Sequence, residues 1–198
     1  MSRIIIFGDS NSYGMGLSDP MTQNYGYHLS KLYNREYINT AAPGSSNTKI
    51  MYEILNFDFK DNDLVIIGWS YFCRELIVKG KDKIENLGSW INQKAPRNRA
   101  WIEHVYDSYD LTVKSYMNMH HANTYLKTKN IKVLQFCFEE DKQLIDIKND
   151  YVWAKDIVMD IDIYTEIVGV DLTECNHPGP LTHKLSAEYL YNKFKDIV

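Results

Sequence analysis

Four short apolar segments set the rhythm of the chain. Arg3-Ile4-Ile5-Ile6-Phe7-Gly8 and Leu64-Val65-Ile66-Ile67-Gly68 are unbroken β-branched and aliphatic runs that end in glycine. Such runs predict strands covered on both faces, as in a parallel sheet. Glu36-Tyr37-Ile38-Asn39 predicts a second strand, stopped by Ala41-Ala42-Pro43-Gly44, and Ile131 to Phe138 predicts another. Between them lie stretches with helical spacing: Tyr25 to Tyr33, a segment from a Ser46 or Asn47 cap to about Phe57, Leu111 to Lys129, and Leu181 to Ile197. Alternating strands and helices predict an α/β protein with a parallel sheet between two helical layers, connected by right-handed crossovers. With a last strand near Ile163 to Val168, this three-layer α/β/α sandwich has about five strands.

The periodicity fails from Val78 to Tyr109, a polar stretch holding Pro96 and Arg97-Asn98-Arg99. We read it as an insertion at about 78–110 in a single domain spanning 1–198, with one short helix near Trp90. Glu139 to Ile163 has no clear period, apart from a helix near Val152 to Val158.

Composition narrows the function classes. Of 198 residues, 44% are hydrophobic and 24% charged, ordinary for a globular chain. Twenty-two basic against 26 acidic side chains give a net charge of −4, so nothing argues for a nucleic-acid or anionic-membrane partner. No apolar run approaches the roughly 20 residues of a membrane helix. The start, Met1-Ser2-Arg3 before Ile4 to Phe7, is too short for a signal peptide, which predicts a cytoplasmic or virion-associated protein. Cys73, Cys137 and Cys175 form neither a zinc spacing nor a secreted disulfide framework. His120 and His121 diverge by about 100° on a helix and do not share a metal easily. Nucleotide, P-loop, zincin and GxSxG elbow motifs are missing from the sequence, and no cofactor or metal is expected.

In a parallel α/β sheet the ligand site lies beyond the carboxyl ends of the strands. The segments ending at Gly8, Gly44 and Gly68 therefore converge on one crevice. Ser10 falls two residues past the first strand, where a tight turn presents its hydroxyl and a helix start offers free N–H groups to an oxyanion. Near the other end stands Glu174-Cys175-Asn176-His177-Pro178-Gly179. A neutral histidine suits the base that a serine nucleophile needs near pH 7, and a carboxylate would fix its tautomer. Glu174, three residues before His177, can fold back across a turn; Asp171 is the second candidate acid and His183 the fallback base.

An N-terminal strand running into Gly8-Asp9-Ser10, with a late Glu174-x-x-His177-Pro178, resembles the SGNH hydrolases, also called the GDSL esterase family. Asn39 and Gly44 match the spacing of the family's second motif. The resemblance implies a flavodoxin-like sandwich and a serine esterase for small or sugar-borne acyl groups. It implies Ser10, His177 and Glu174 as the triad, with the Ser10 and Gly44 N–H groups in the oxyanion hole. The third motif, Gly-x-Asn-Asp in the family, reads Gly68-Trp69-Ser70-Tyr71 here, followed by Arg74, so Ser70 stands where an asparagine supplies the third donor. That departure is similar to a divergent, phage-type branch. Losing one such donor costs about 3–4 kcal/mol of transition-state stabilisation, which points to slow or selective turnover. Asp9, Asn39, Trp69 and Arg74, around these motifs, are the expected pocket residues. Two other outcomes share the same residues: a non-catalytic module binding a glycan or a protein, and an O-acyltransferase.

Overall fold

A computed structural model describes residues 2–80, 83–88, 95–137, 150–156 and 170–196. Its order is β1 (Arg3–Gly8), α1 (Ser10–Tyr13), α2 (Pro20–Gln23), α3 (Tyr25–Leu32), β2 (Glu36–Asn39), α4 (Asn47–Asn56), β3 (Leu64–Trp69), β4 (Arg74–Gly80), β5 (Lys83–Gly88), α5 (Pro96–His104), α6 (Ser108–Thr128), β6 (Lys132–Cys137), a 3-10 turn (Val152–Asp156) and α7 (Pro180–Phe194). Strands β2, β1, β3 and β6 form one parallel sheet in that spatial order. Among the described residues the sheet has four strands rather than about five; the strand expected near 163–168 lies outside them.

The two central strands explain their own composition. Every residue of β1 and of β3 is buried, because each strand is covered on both faces. Side chains alternate between those faces. Ile5, Phe7, Val65 and Ile67 pack with Ile50, Ile54, Tyr116, Met119 and Leu126 of α4 and α6. Ile4, Ile6, Leu64 and Ile66 pack with Tyr25, Leu29, Ala187 and Leu190 of α3 and α7. The helix start expected at Ser46 or Asn47 is capped by Ser46, whose hydroxyl accepts from the Lys49 N–H at 3.1 Å.

The region expected as a largely irregular insertion is instead ordered in its described parts. Arg74–Gly80 and Lys83–Gly88 pair as an antiparallel hairpin outside the main sheet, followed by α5. Leu87 of the hairpin packs with Trp101 and Leu111 in a small separate cluster. The helix expected near Trp90 lies outside the described residues; α5 begins at Pro96, a residue suited to a first helical turn. No helix among the described residues is long and apolar enough to cross a membrane.

His183 of α7 shows how α3 and α7 are joined. Its ring stacks on Tyr25 at 5.9 Å between centroids, and its Nδ1 accepts from the Tyr25 backbone N–H at 3.2 Å. Burial, helped by nearby His28, pulls its pKa down to about 4. The unfolded chain takes up this proton near pH 6.5, so stability is full above that pH and is lost as the pH falls toward the folded value. We expect urea unfolding to report a loss of roughly 3 kcal/mol between pH 7 and 4 from this group alone. His183→Gln should flatten that part of the profile; an unchanged slope would contradict the assignment.

Candidate active site

The Ser10 turn follows from its flanking residues. Gly8 pairs with Gly68 across the β1–β3 register. A side chain at Gly8 would come within 2.3 Å of Ser12 Oγ and 2.8 Å of the Gly68 carbonyl, so only glycine permits the turn to close this tightly. Asp9 then caps α1, its carboxylate accepting from the Asn11 N–H at 2.9 Å. Ser10 is thus the first helical residue. Its N–H points out of the helix start and makes no hydrogen bond among the described residues. Gly14, at φ +88, ends the helix, and the Gly14 and Met15 N–H groups both return to the Ser10 carbonyl.

The Gly44 loop is stitched beside this turn. The Thr40 N–H donates to the Ile6 carbonyl at 2.9 Å and the Ala42 N–H to the Gly8 carbonyl at 3.2 Å, so the chain beyond β2 runs on along β1. Gly44 adopts φ +74, where a side chain would be strained. Its N–H also has no hydrogen-bond acceptor among the described residues.

The late loop reaches the same end of the sheet. Leu172 and Pro178 form an antiparallel bridge, and the Thr173 N–H donates to the His177 carbonyl at 2.8 Å. Asn176 occupies the left-handed region at φ +60, which asparagine tolerates better than most residues. The loop abuts the segment after α1: a side chain on Gly16 would meet Thr173 Oγ1 at 2.5 Å and Cys175 Sγ at 2.7 Å. His177 also lies close enough to Asp9 to favour its ionised form. The two ends of the chain therefore meet. The Ser10 hydroxyl and the His177 ring do not hydrogen bond to each other. Where the late loop meets Gly16, an open cleft of about 540 Å³ is lined by Gly16, Leu172, Thr173, Glu174 and Cys175.

Neither expected acid contacts His177 among the described residues. Glu174 is exposed. Asp171 serves α7 instead, accepting from the Leu181 N–H at 3.1 Å, the Thr182 N–H at 2.6 Å and the Thr182 hydroxyl at 2.6 Å. Burial works against its charge, but these donors outweigh it and hold its pKa below the ordinary value. The group facing His177 Nδ1 is Cys175, through its carbonyl oxygen at 3.1 Å and its thiol at 3.2 Å. The fallback base, His183, is buried against Tyr25 and away from this role.

Three expected pocket residues are interior ones. Trp69 has no exposed surface and donates its indole N–H to Gln135 Oε1 at 3.0 Å, because the last residue of a central strand still points into the helical layer. Asp9 and Arg74 form a buried ion pair at 3.1 Å. Asn39 holds the end of α1, its amide donating to the Ser12 carbonyl at 3.3 Å and the Tyr13 carbonyl at 3.4 Å. Ser70 is 1% exposed, and its hydroxyl donates to Asp9 Oδ2 at 3.1 Å while accepting from Arg74 Nη1 at 2.8 Å. Asn47, read in the sequence only as a possible cap, clamps the Ser70 peptide: its Oδ1 accepts from the Ser70 N–H at 2.7 Å and its Nδ2 donates to the Ser70 carbonyl at 3.0 Å.

This architecture is that of the GDSL or SGNH lipolytic proteins. The chain is similar to a G-D-S-L family lipolytic protein from Veillonella parvula, with a TM-score of 0.53 at 16% identity, covering 98% of this chain and 99% of that one. It is similar to the psychrotrophic esterase EstA from a Pseudoalteromonas species, with a TM-score of 0.58 at 12% identity, over 98% and 97% of the two chains. An acetyl xylan esterase from the rumen bacterium Butyrivibrio proteoclasticus aligns with a TM-score of 0.55 at 17% identity, over 98% of this chain and 64% of that one. No family model matches the chain, and no curated protein matches it in sequence.

Asp171→Ala removes the carboxylate that replaces an ordinary side-chain cap at the start of α7. It should cost about 1–2 kcal/mol in urea unfolding at neutral pH, and the deficit should shrink as the pH falls below the ordinary aspartate range, where the wild-type group also protonates. A deficit that persists undiminished at pH 2 would contradict this role.

Proposed function

We propose that the protein is an SGNH-type serine esterase acting on a small or carbohydrate-borne acyl ester. The observation that carries this reading is the pair of N–H groups, Ser10 and Gly44, that have no acceptor among the described residues and lie at adjacent strand ends, with the His177 loop packed on Gly16, just past the Ser10 helix. Buried or turn-bound N–H groups normally find an acceptor, and an ester oxyanion is one these two would suit. The esterases of the same fold, one of them acting on acetyl xylan by its name, support the substrate class.

In this scheme the Ser10 hydroxyl oxygen attacks the ester carbonyl carbon while its proton passes to the free ring nitrogen of His177. The tetrahedral oxyanion lies against the Ser10 and Gly44 N–H groups. Collapse breaks the carbon–oxygen bond to the leaving alcohol, which takes the proton from His177. Water then repeats the sequence on the acyl-enzyme and releases the acid. The tautomer of His177 is set by the Cys175 carbonyl accepting from Nδ1–H, rather than by Glu174. With the Ser70 hydroxyl engaged by Asp9, two donors serve the oxyanion, which fits slow or selective turnover. The same missing donor favours the second reading, a glycan- or protein-binding module on an esterase scaffold.

Turnover of p-nitrophenyl acetate and labelling by a fluorophosphonate separate these readings. Wild type should turn over and label, and Ser10→Ala and His177→Ala should do neither. Glu174→Gln should stay within about tenfold of wild type, whereas loss of a true triad acid costs about 10⁴ in kcat. Equal labelling of wild type and Ser10→Ala would defeat the proposal.

A further inference from the structure

The proposed chemistry gives no task to Arg74, a buried cation at the same strand ends. Arg74 opens β4, and its side chain is 4% exposed. A single nitrogen of its guanidinium, Nη1, lies 3.1 Å from Asp9 Oδ2, 3.1 Å from the Ser45 carbonyl oxygen and 2.8 Å from Ser70 Oγ. The guanidinium also sits over the Tyr71 ring, 5.1 Å from its centroid. These three acceptors come from three different strand ends. Asp9 immediately precedes Ser10, Ser45 immediately follows Gly44, and Ser70 is the first residue beyond β3. One nitrogen therefore touches either the residue expected at an oxyanion position or its direct chain neighbour, at all three places.

Ser70 itself is held on every side. Arg74 donates to its hydroxyl, that hydroxyl donates to Asp9, and Asn47 takes both its N–H and its carbonyl. It thus has no hydroxyl proton to spare for a substrate, and the separation of the two remaining donors, Ser10 and Gly44, becomes the quantity that matters. The turn at Asp9 and the turn at Ser45 are bridged by the Arg74 side chain as well as by the Ala42–Gly8 backbone hydrogen bond. Nη1 carries two hydrogens for these three acceptors, so at least one is shared; the planar guanidinium, seated over Tyr71, fixes where those hydrogens point, which a rotating lysine ammonium on a flexible stem does not reproduce.

We propose that Arg74 is a positioning residue for the oxyanion hole: it fixes the spacing of the Ser10 and Gly44 N–H groups by binding the Asp9 and Ser45 turns together. This rests on the esterase reading above. It also gives the hairpin a reason to be where it is, because the first residue of β4 is the tie and the rest of the ribbon holds that residue in place.

The test compares wild type, Arg74→Lys and Arg74→Ala by p-nitrophenyl acetate kinetics, fluorophosphonate labelling rate and thermal melting. Arg74→Lys retains a cation beside Asp9 and is expected to fold. It should keep KM within about threefold while kcat falls about a hundredfold, the scale of a 1 Å misplacement. The labelling rate, which reports the same hole, should fall in parallel. Millimolar guanidinium should restore part of the activity of Arg74→Ala and none of the activity of Ser10→Ala. A folded Arg74→Lys that keeps wild-type kcat and labelling overturns the inference and leaves the esterase reading intact. So does a loss confined to thermal stability, or a failure of both variants to fold, since Arg74 is then a folding determinant only. A wild type that neither turns over nor labels removes the esterase reading and this inference with it.

Discussion

Asp9 is a carboxylate with no exposed surface, placed one residue before the candidate nucleophile. Burial pushes its pKa up, against the pull of Arg74, the Asn11 N–H, the Ser70 hydroxyl and His177. Three donors converge on it, the arrangement a carboxylate requires when water is excluded. Removing one member of such a buried pair is far more damaging than never having had it, because the other charge is left without compensation. The ends of β1 and β3, the Ser45 turn and the first residue of the hairpin are therefore fixed relative to one another by the need to satisfy a single buried charge.

That constraint also explains what the third motif position does. A serine at the end of β3 looks, in isolation, like a shortened replacement for an asparagine that would face the substrate. In the fold its hydroxyl turns inward, because Asp9 and Arg74 lie within hydrogen-bond distance and the Asn47 side chain holds the peptide so that little freedom remains. A buried network of this kind is worth its cost only when every member is satisfied. The same side chains that make the turn rigid keep the Ser70 hydroxyl out of the crevice. In the proposed esterase, an oxyanion is left with a pair of backbone donors on glycine-dependent turns.

The sheet was legible in the sequence because burial on both faces writes an uninterrupted apolar run, and Ile4 to Phe7 and Leu64 to Ile67 carry that run without ambiguity. The hairpin was not. Its apolar run, Leu76-Ile77-Val78, is only three residues long between Arg74-Glu75 and Lys79, and Ile77 and Leu87 pack on a small cluster with Trp101 rather than in the main core. The Ser10 turn and the histidine loop could be read from short-range order, since Gly8-Asp9-Ser10 and Asn176-His177-Pro178 each specify their own local backbone. The partner of His177 could not, because a spacing of three residues says nothing of whether Glu174 turns toward the ring or toward solvent. The hydrogen bonds of Arg74 and Asn47 were not legible for a related reason: their partners are 65 and 23 positions away in the chain, and only the assembled strand ends bring them together.

The proposed chemistry requires that the hydroxyl of Ser10, the ring of His177 and two backbone N–H groups surround one reacting atom. A crystal structure of the protein treated with a small fluorophosphonate tests it most directly. The expected result is a phosphorus atom bonded to Ser10 Oγ, one phosphoryl oxygen between the Ser10 and Gly44 N–H groups, and His177 Nε2 within about 2.6–3.2 Å of an oxygen on the adduct. An adduct on another side chain, or one whose phosphoryl oxygen faces solvent with His177 turned away, would contradict it.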